Sequence, residues 1–212
     1  MRNYKQALLD PTDCVLLVVD HQPQMYFGVE EKSRSCIMNA VKGLTRAASI
    51  FQVPTVMSTV TANTFAGPMY EEILNVFAGH HPIDRTAINA WEDVRVKKAV
   101  ADTKRKKLII AGLWTEVCVA LPALSAIQDG YEVYIVTDAC GGASKEAHDQ
   151  AIARMLQKGA TPLTWQAVLL EFQRDWADKT TYAAVTALLE ECGGAYGLGL
   201  LYAKFIAPSK SV

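Results

Sequence analysis

The sequence predicts an α/β fold in which helices cover both faces of a central, mostly parallel sheet. Short β-branched apolar runs alternate with longer segments of helical period from end to end, the pattern left by successive βαβ units. The runs are apolar at nearly every position, not at every second one, which requires burial of both faces of the sheet. The chain has 212 residues, enough for a sizeable core, and residues 1–212 are read as a single domain.

The elements follow in order. Residues 15–19, 55–59, 108–111 and 133–136 read as strands, with residues 161–164 a weaker fifth. Between them, residues 33–51, 69–77, 91–102, 116–128 and 144–158 carry apolar side chains at helical spacing, and each is expected to cover one face of the sheet. Pro122 lacks a backbone donor and is expected to bend or restart its helix about a turn beyond Cys118. From about residue 166 a helical tail follows, whose Phe172, Trp176 and Tyr182 need cover from the same domain or from a neighbouring subunit.

Composition removes several classes of function. The 21 Lys and Arg nearly balance the 22 Asp and Glu, and only Lys104-Arg105-Lys106-Lys107 forms a basic run, so no nucleic-acid partner is expected. The five cysteines (Cys14, Cys36, Cys118, Cys140, Cys192) are odd in number and include no C-x-x-C pair, which argues against a disulfide framework or structural zinc and for a reducing compartment. Residues Met1 to Gln6 lack an apolar signal core, and the apolar stretch 195–207 is broken by Lys204 and too short to span a bilayer. A cytoplasmic protein without a membrane partner is therefore expected. No G-x-G-x-x-G or Walker pattern occurs, and Gly141-Gly142 reads as a turn.

In an open parallel sheet ligands bind beyond the carboxyl ends of the strands. That rule selects Asp20-His21-Gln22, Asp84-Arg85-Thr86 in the connection before residue 108, Gly112-Leu113-Trp114-Thr115-Glu116-Val117-Cys118-Val119, and the segment from Thr137 to Gly142. Asp20 ends a wholly apolar strand, where a carboxylate needs a partner; the bland alternative is a cap for the next turn. Cys118 opens a helix, whose free N–H groups favour a thiolate and can cradle an oxyanion, although a free cysteine also serves as a small apolar filler. His21 is read as structural, Gln22 as lying on the side of Asp20, and Cys140 as an alternative thiol. Trp91 and Trp114 are pocket walls or core.

Val18-Val19-Asp20-His21-Gln22, then Arg85, then residues 112–119 resemble, in order and spacing, the isochorismatase-like hydrolase superfamily. Ile88-Asn89-Ala90-Trp91, residues 108–112, residues 118–126 and Val136-Thr137-Asp138-Ala139 are similar to its YcaC-like subgroup. The resemblance implies a Rossmann-like three-layer αβα sandwich carrying a cofactor-free cysteine hydrolase of small amides, carbamoyl or related acyl compounds. By that resemblance Asp20 is the base, Cys118 the nucleophile that forms a thioester-like intermediate, and Arg85 the fixed charge beside both. Backbone N–H groups of Trp114 and Cys118 form the oxyanion hole, and a non-proline cis peptide is expected at Leu113-Trp114. Gln22, Asn89, Trp114 and Thr115 are the candidates for contacts with a small-molecule substrate, and ring-shaped, octamer-like homo-oligomers are implied.

Two departures matter. The amidases of the superfamily usually place Lys where Arg85 stands, and Arg cannot shuttle a proton, so its role narrows to electrostatics and positioning. The Asp-x-His and distant His of the metal-binding nicotinamidase branch are missing, with residues 59–65 in the expected region, so no metal is expected. A thiol gives its proton to a carboxylate only if its pKa is drawn below ~8.5, which a guanidinium and a helix N-terminus are expected to do. The competing reading is a catalytically silent, oligomeric small-molecule-binding or redox-responsive protein on the same fold.

Overall fold

The computed structural model describes residues 8–206. Six strands, β1 (Cys14–Val19), β2 (Thr55–Val60), β3 (Ile83–Arg85), β4 (Lys107–Gly112), β5 (Glu132–Val136) and β6 (Thr161–Leu163), form one sheet. Their order is β3-β2-β1-β4-β5-β6, and every pairing is parallel. The chain thus starts at the centre, walks out to one edge, and resumes on the other side of β1. The reversal falls between β1 and β4, where Val19 stands opposite Gly112, and a crevice opens at such a switch point.

Burial of both faces accounts for the unbroken apolarity of the strands. Leu16 and Val18 pack against α2 (Arg34–Ile50), α7 (Trp165–Gln173) and α8 (Lys179–Cys192). Val15, Leu17 and Val19 face the other way, onto α4 (Val94–Asp102), α5 (Ala120–Gln128) and α6 (Lys145–Gln157). This is the three-layer arrangement. Gly43 lets α2 lie flat on Trp165, since a Cβ there would meet the indole at 2.5 Å. A third, smaller cluster at the carboxyl edge joins Met25 and Tyr26 of α1 (Pro23–Phe27) to Ile37 and Leu113.

The differences from the sequence reading are local. β3 went unread because two of its three residues are charged; as an edge strand it does not need two apolar faces. The segment 69–77 shortens to α3 (Glu71–Val76), and 91–102 divides where Asp93 caps α4 by accepting from the Arg95 N–H at 2.8 Å. Residues 116–128 do not form one α-helix: a wider π turn, Thr115–Val119, precedes α5. Pro122 therefore lies in the first turn of α5, where its missing N–H is no loss, and the restart comes just before it.

After β6 the described residues form helices only, α7, α8 and last α9 (Ala195–Ile206). Phe172 is buried against Phe51, whereas Trp176 pairs with Tyr182 and stays partly exposed. Leu198, Leu201, Tyr202 and Phe205 of α9 face solvent. No helix among the described residues is long and apolar enough to cross a membrane, and the five cysteines are free. Residues Met1 to Gln6, read above as lacking a signal core, lie outside the described residues.

Candidate active site

Asp20 takes over where the β1 ladder stops. Its N–H still donates to the Ser58 carbonyl at 2.9 Å, but its own φ is +55°, and its carbonyl accepts from the Gln22 N–H at 2.8 Å. The chain turns at this residue, in a left-handed conformation that Asp tolerates better than most side chains. Arg85 ends β3, two strands away, about 10 Å at the usual strand spacing. A long side chain is needed to cover that span. The guanidinium grips the carboxylate at both ends, Nη1 to Oδ1 at 3.2 Å and Nη2 to Oδ2 at 2.8 Å, and neither side chain is exposed at all.

Cys118 reaches the same carboxylate from the other side of the switch point. The π turn after β4 brings its thiol beside Asp20, within reach of the carboxylate, of Arg85 and of the Trp114 N–H. The thiol is nearly buried, at 6 % exposure. The peptide bond between Leu113 and Trp114 is cis, as the resemblance implied.

Electrostatics reverses one expectation. Burial pushes the Cys118 thiol up to about 12, the Asp20 carboxylate adds to the rise, and the Trp114 N–H and Arg85 only partly oppose it. The thiol is therefore not acidified at rest, because desolvation and a neighbouring anion outweigh a cation held mainly by that anion. Burial also raises the Asp20 pKa, against the pull of Arg85. The resting site holds a neutral thiol beside a carboxylate.

The other selected residues are largely occupied by the protein itself. Gln22 Nε2 donates to the carbonyls of Val60 and Gly67 at 3.1 and 2.6 Å, while its Oε1 accepts from the Val60 N–H at 2.9 Å. It ties the loop after β2 to the end of β1. Asn89 gives its amide to Ser125 and its oxygen to the Trp91 N–H, both at 3.0 Å. Trp114 Nε1 donates to the Met25 carbonyl at 2.8 Å, and Thr115 Oγ1 lies 2.9 Å from His148 Nδ1. His21 is wholly buried, paired with the Tyr26 hydroxyl at 2.8 Å, and burial lowers its pKa to about 3, so its ring stays neutral. Cys140 is fully buried in the core under β4 and β5, and burial takes its thiol to about 12.

Sequence reasoning passed over His148 and Glu31, and it selected Asp84 only as part of the segment around Arg85. Asp84 accepts from the Thr59 hydroxyl and the Ala62 N–H, both at 3.0 Å, shaping the loop beside Arg85. The only signal for His148 was its place in the first turn of a helix that follows a carboxyl-edge loop. Among the described residues no group of three or more His, Cys, Asp or Glu is arranged to hold a metal ion.

Comparison with known proteins places this geometry. The family model described as "Isochorismatase domain" matches residues 14–167. The probable hydrolase YcaC of Escherichia coli K12 is 40% identical over 169 residues, 79% of this chain and 81% of that protein. The solved structure of the Escherichia coli YcaC gene product, described as an octameric hydrolase of unknown specificity, superposes with a TM-score of 0.89 at 36% identity, covering 94% of this chain and 97% of that one. YcaC from Pseudomonas aeruginosa, solved with hexane-2,5-diol and covalent acrylamide, gives 0.88 at 36% identity, covering 92% and 96%.

Proposed function

The chain belongs to the isochorismatase family, and from that premise we propose that it is a cofactor-free cysteine hydrolase that cleaves C–N bonds of small amides, carbamoyl or related acyl compounds. One observation carries this reading: a nearly buried thiol rests on a buried carboxylate that a guanidinium grips at both ends. As the Cys118 sulfur bonds to the carbonyl carbon, its proton passes to Asp20. The oxyanion that develops takes the N–H groups of Trp114 and Cys118, the first of which lies near the sulfur. Collapse expels the amine with the proton from Asp20 and leaves a thioester. Water then attacks the thioester, giving its proton to Asp20, and the acid leaves as the thiol is restored. Arg85 keeps Asp20 oriented throughout and favours its ionised form between proton transfers.

The raised pKa of Asp20 sets the acid limb of activity. Asp20 must be charged to accept a proton, so the rate falls as the pH is lowered through a value above the ordinary one for Asp. The covalent acrylamide in the Pseudomonas aeruginosa relative shows a reactive nucleophile in that protein, which supports one here. To test the reading, wild type and Cys118→Ala are incubated with amides, carbamoyl compounds and esters, and intact mass is followed. Acid product and a transient acyl adduct are expected in wild type alone; turnover that survives in the alanine variant overturns the mechanism.

The octameric Escherichia coli relative and the apolar surface of α9 support a homo-oligomer here. Light scattering is expected to give a mass several times that of one chain. Five free cysteines suit a reducing, cytoplasmic setting.

A further inference from the structure

The loop that carries Trp114 is held by the loop after β5. Leu113 bridges to Gly141, and the Thr115 N–H donates to the Gly141 carbonyl at 3.0 Å. A second tie runs through side chains. Thr115 Oγ1 lies 2.9 Å from His148 Nδ1, with both residues buried. The other ring nitrogen, Nε2, lies 3.8 Å from Glu31 Oε1, and Glu31 in turn pairs with Lys32 at 3.0 Å.

The groups around His148 favour one direction for this chain. A carboxylate facing Nε2 favours the proton on that nitrogen, although 3.8 Å is too long for a direct hydrogen bond. Nδ1 is then bare and accepts from the Thr115 hydroxyl. Burial favours the neutral ring, against the opposing pull of Glu31, so the acceptor is kept. A hydroxyl, an imidazole and a carboxylate in line suggest a nucleophile, but Thr115 has no exposed surface. Its hydroxyl is positioned to act on its own loop, one residue from the Trp114 N–H near the Cys118 sulfur.

We propose that His148 and Glu31 are positioning residues that, through the Thr115 hydroxyl, aim the oxyanion-holding N–H groups of Trp114 and Cys118. The inference rests on the nucleophile and oxyanion hole proposed above. It adds a remote tether that those roles do not require.

Two alkylating probes separate the tether from the thiol. Iodoacetamide reacts by displacement: the S–C bond forms as C–I breaks and iodide leaves, with no charge placed on the amide oxygen. Acrylamide reacts by addition: the sulfur bonds to the terminal carbon, and the C=C pair shifts to give an enolate oxyanion. The carbon beside the carbonyl then takes up the proton released by the thiol. Only the second reaction calls on the oxyanion hole, so the acrylamide-to-iodoacetamide rate ratio at Cys118, read by peptide mass mapping at one alkaline pH because Cys36 is also free and exposed, reports its aim.

Thr115→Val, which keeps the shape and removes the hydroxyl, is expected to lower that ratio about tenfold, less than the ~10² or more for outright loss of a donor. The iodoacetamide rate should stay within about twofold of wild type, which also reports an intact fold. His148→Leu should match it, His148→Asn and Thr115→Ser should restore most of the ratio, and the Thr115→Val/His148→Leu pair should do no more than either alone. An unchanged ratio in Thr115→Val overturns the tether and leaves the nucleophile standing. A wild-type Cys118 that takes up neither reagent overturns the nucleophile, and the tether falls with it.

Discussion

Asp20→Asn is expected to abolish turnover while making Cys118 easier to alkylate. The two effects have opposite signs because the carboxylate does two things. It is the carboxylate beside the thiol, placed to take its proton, and loss of a general base lowers rate by about 10² to 10⁴. Its charge also holds the thiol pKa up, second only to burial. Removing that charge leaves Cys118 beside Arg85 alone, so at a given pH more thiolate is present and iodoacetamide reacts faster. A collapsed or blocked site cannot give faster alkylation with lost turnover. Paired assays of hydrolysis and alkylation on folded protein decide the matter, and turnover within about tenfold of wild type removes Asp20 from the mechanism.

Arg85→Met should cost about 3–5 kcal/mol of stability at neutral pH, the usual penalty for stranding one member of a buried ion pair. The pH dependence identifies the cause. Without the guanidinium, the pKa of folded Asp20 rises further above its unfolded value, since burial already drives it up. A carboxyl with a raised folded pKa favours the folded state below the unfolded pKa and disfavours it as pH climbs through the folded one. The deficit relative to wild type should therefore shrink on acidification, as Asp20 takes up a proton and no longer needs a counter-ion. Urea denaturation of both proteins across the acid range measures this; a deficit independent of pH assigns the cost to packing. Arg85→Lys restores the charge with fewer hydrogen bonds and should recover part of the stability at neutral pH.

The strands at the sheet centre could be read from sequence because burial on both faces demands apolar side chains at successive positions, as in Val15-Leu16-Leu17-Val18-Val19. β3 could not, because Ile83-Asp84-Arg85 is stabilised by a neighbouring strand and an ion pair that no local pattern records. The same limit applies within the site. The carboxyl-end rule and spaced motifs pick out Asp20, Arg85 and Cys118, which the fold brings together. Nothing in the order of residues shows where the hydrogen bonds of Gln22, Asn89 and Thr115 go, and all three prove occupied by Val60, Ser125 and His148. The sign of the Cys118 shift was unreadable for a related reason: it depends on how much water remains around the sulfur.

The bidentate pair of Asp20 and Arg85 clasps a three-residue edge strand to the central one. It is part of the architecture of the sheet before it is part of any reaction. Selection for folding alone would preserve both residues in a descendant that had stopped turning over substrate. Cys118 contributes little more than a small filler's packing, and nothing in the sheet depends on its sulfur. In this lineage, then, decay of activity would be recorded first at position 118, and a persistent aspartate and arginine would testify to the fold.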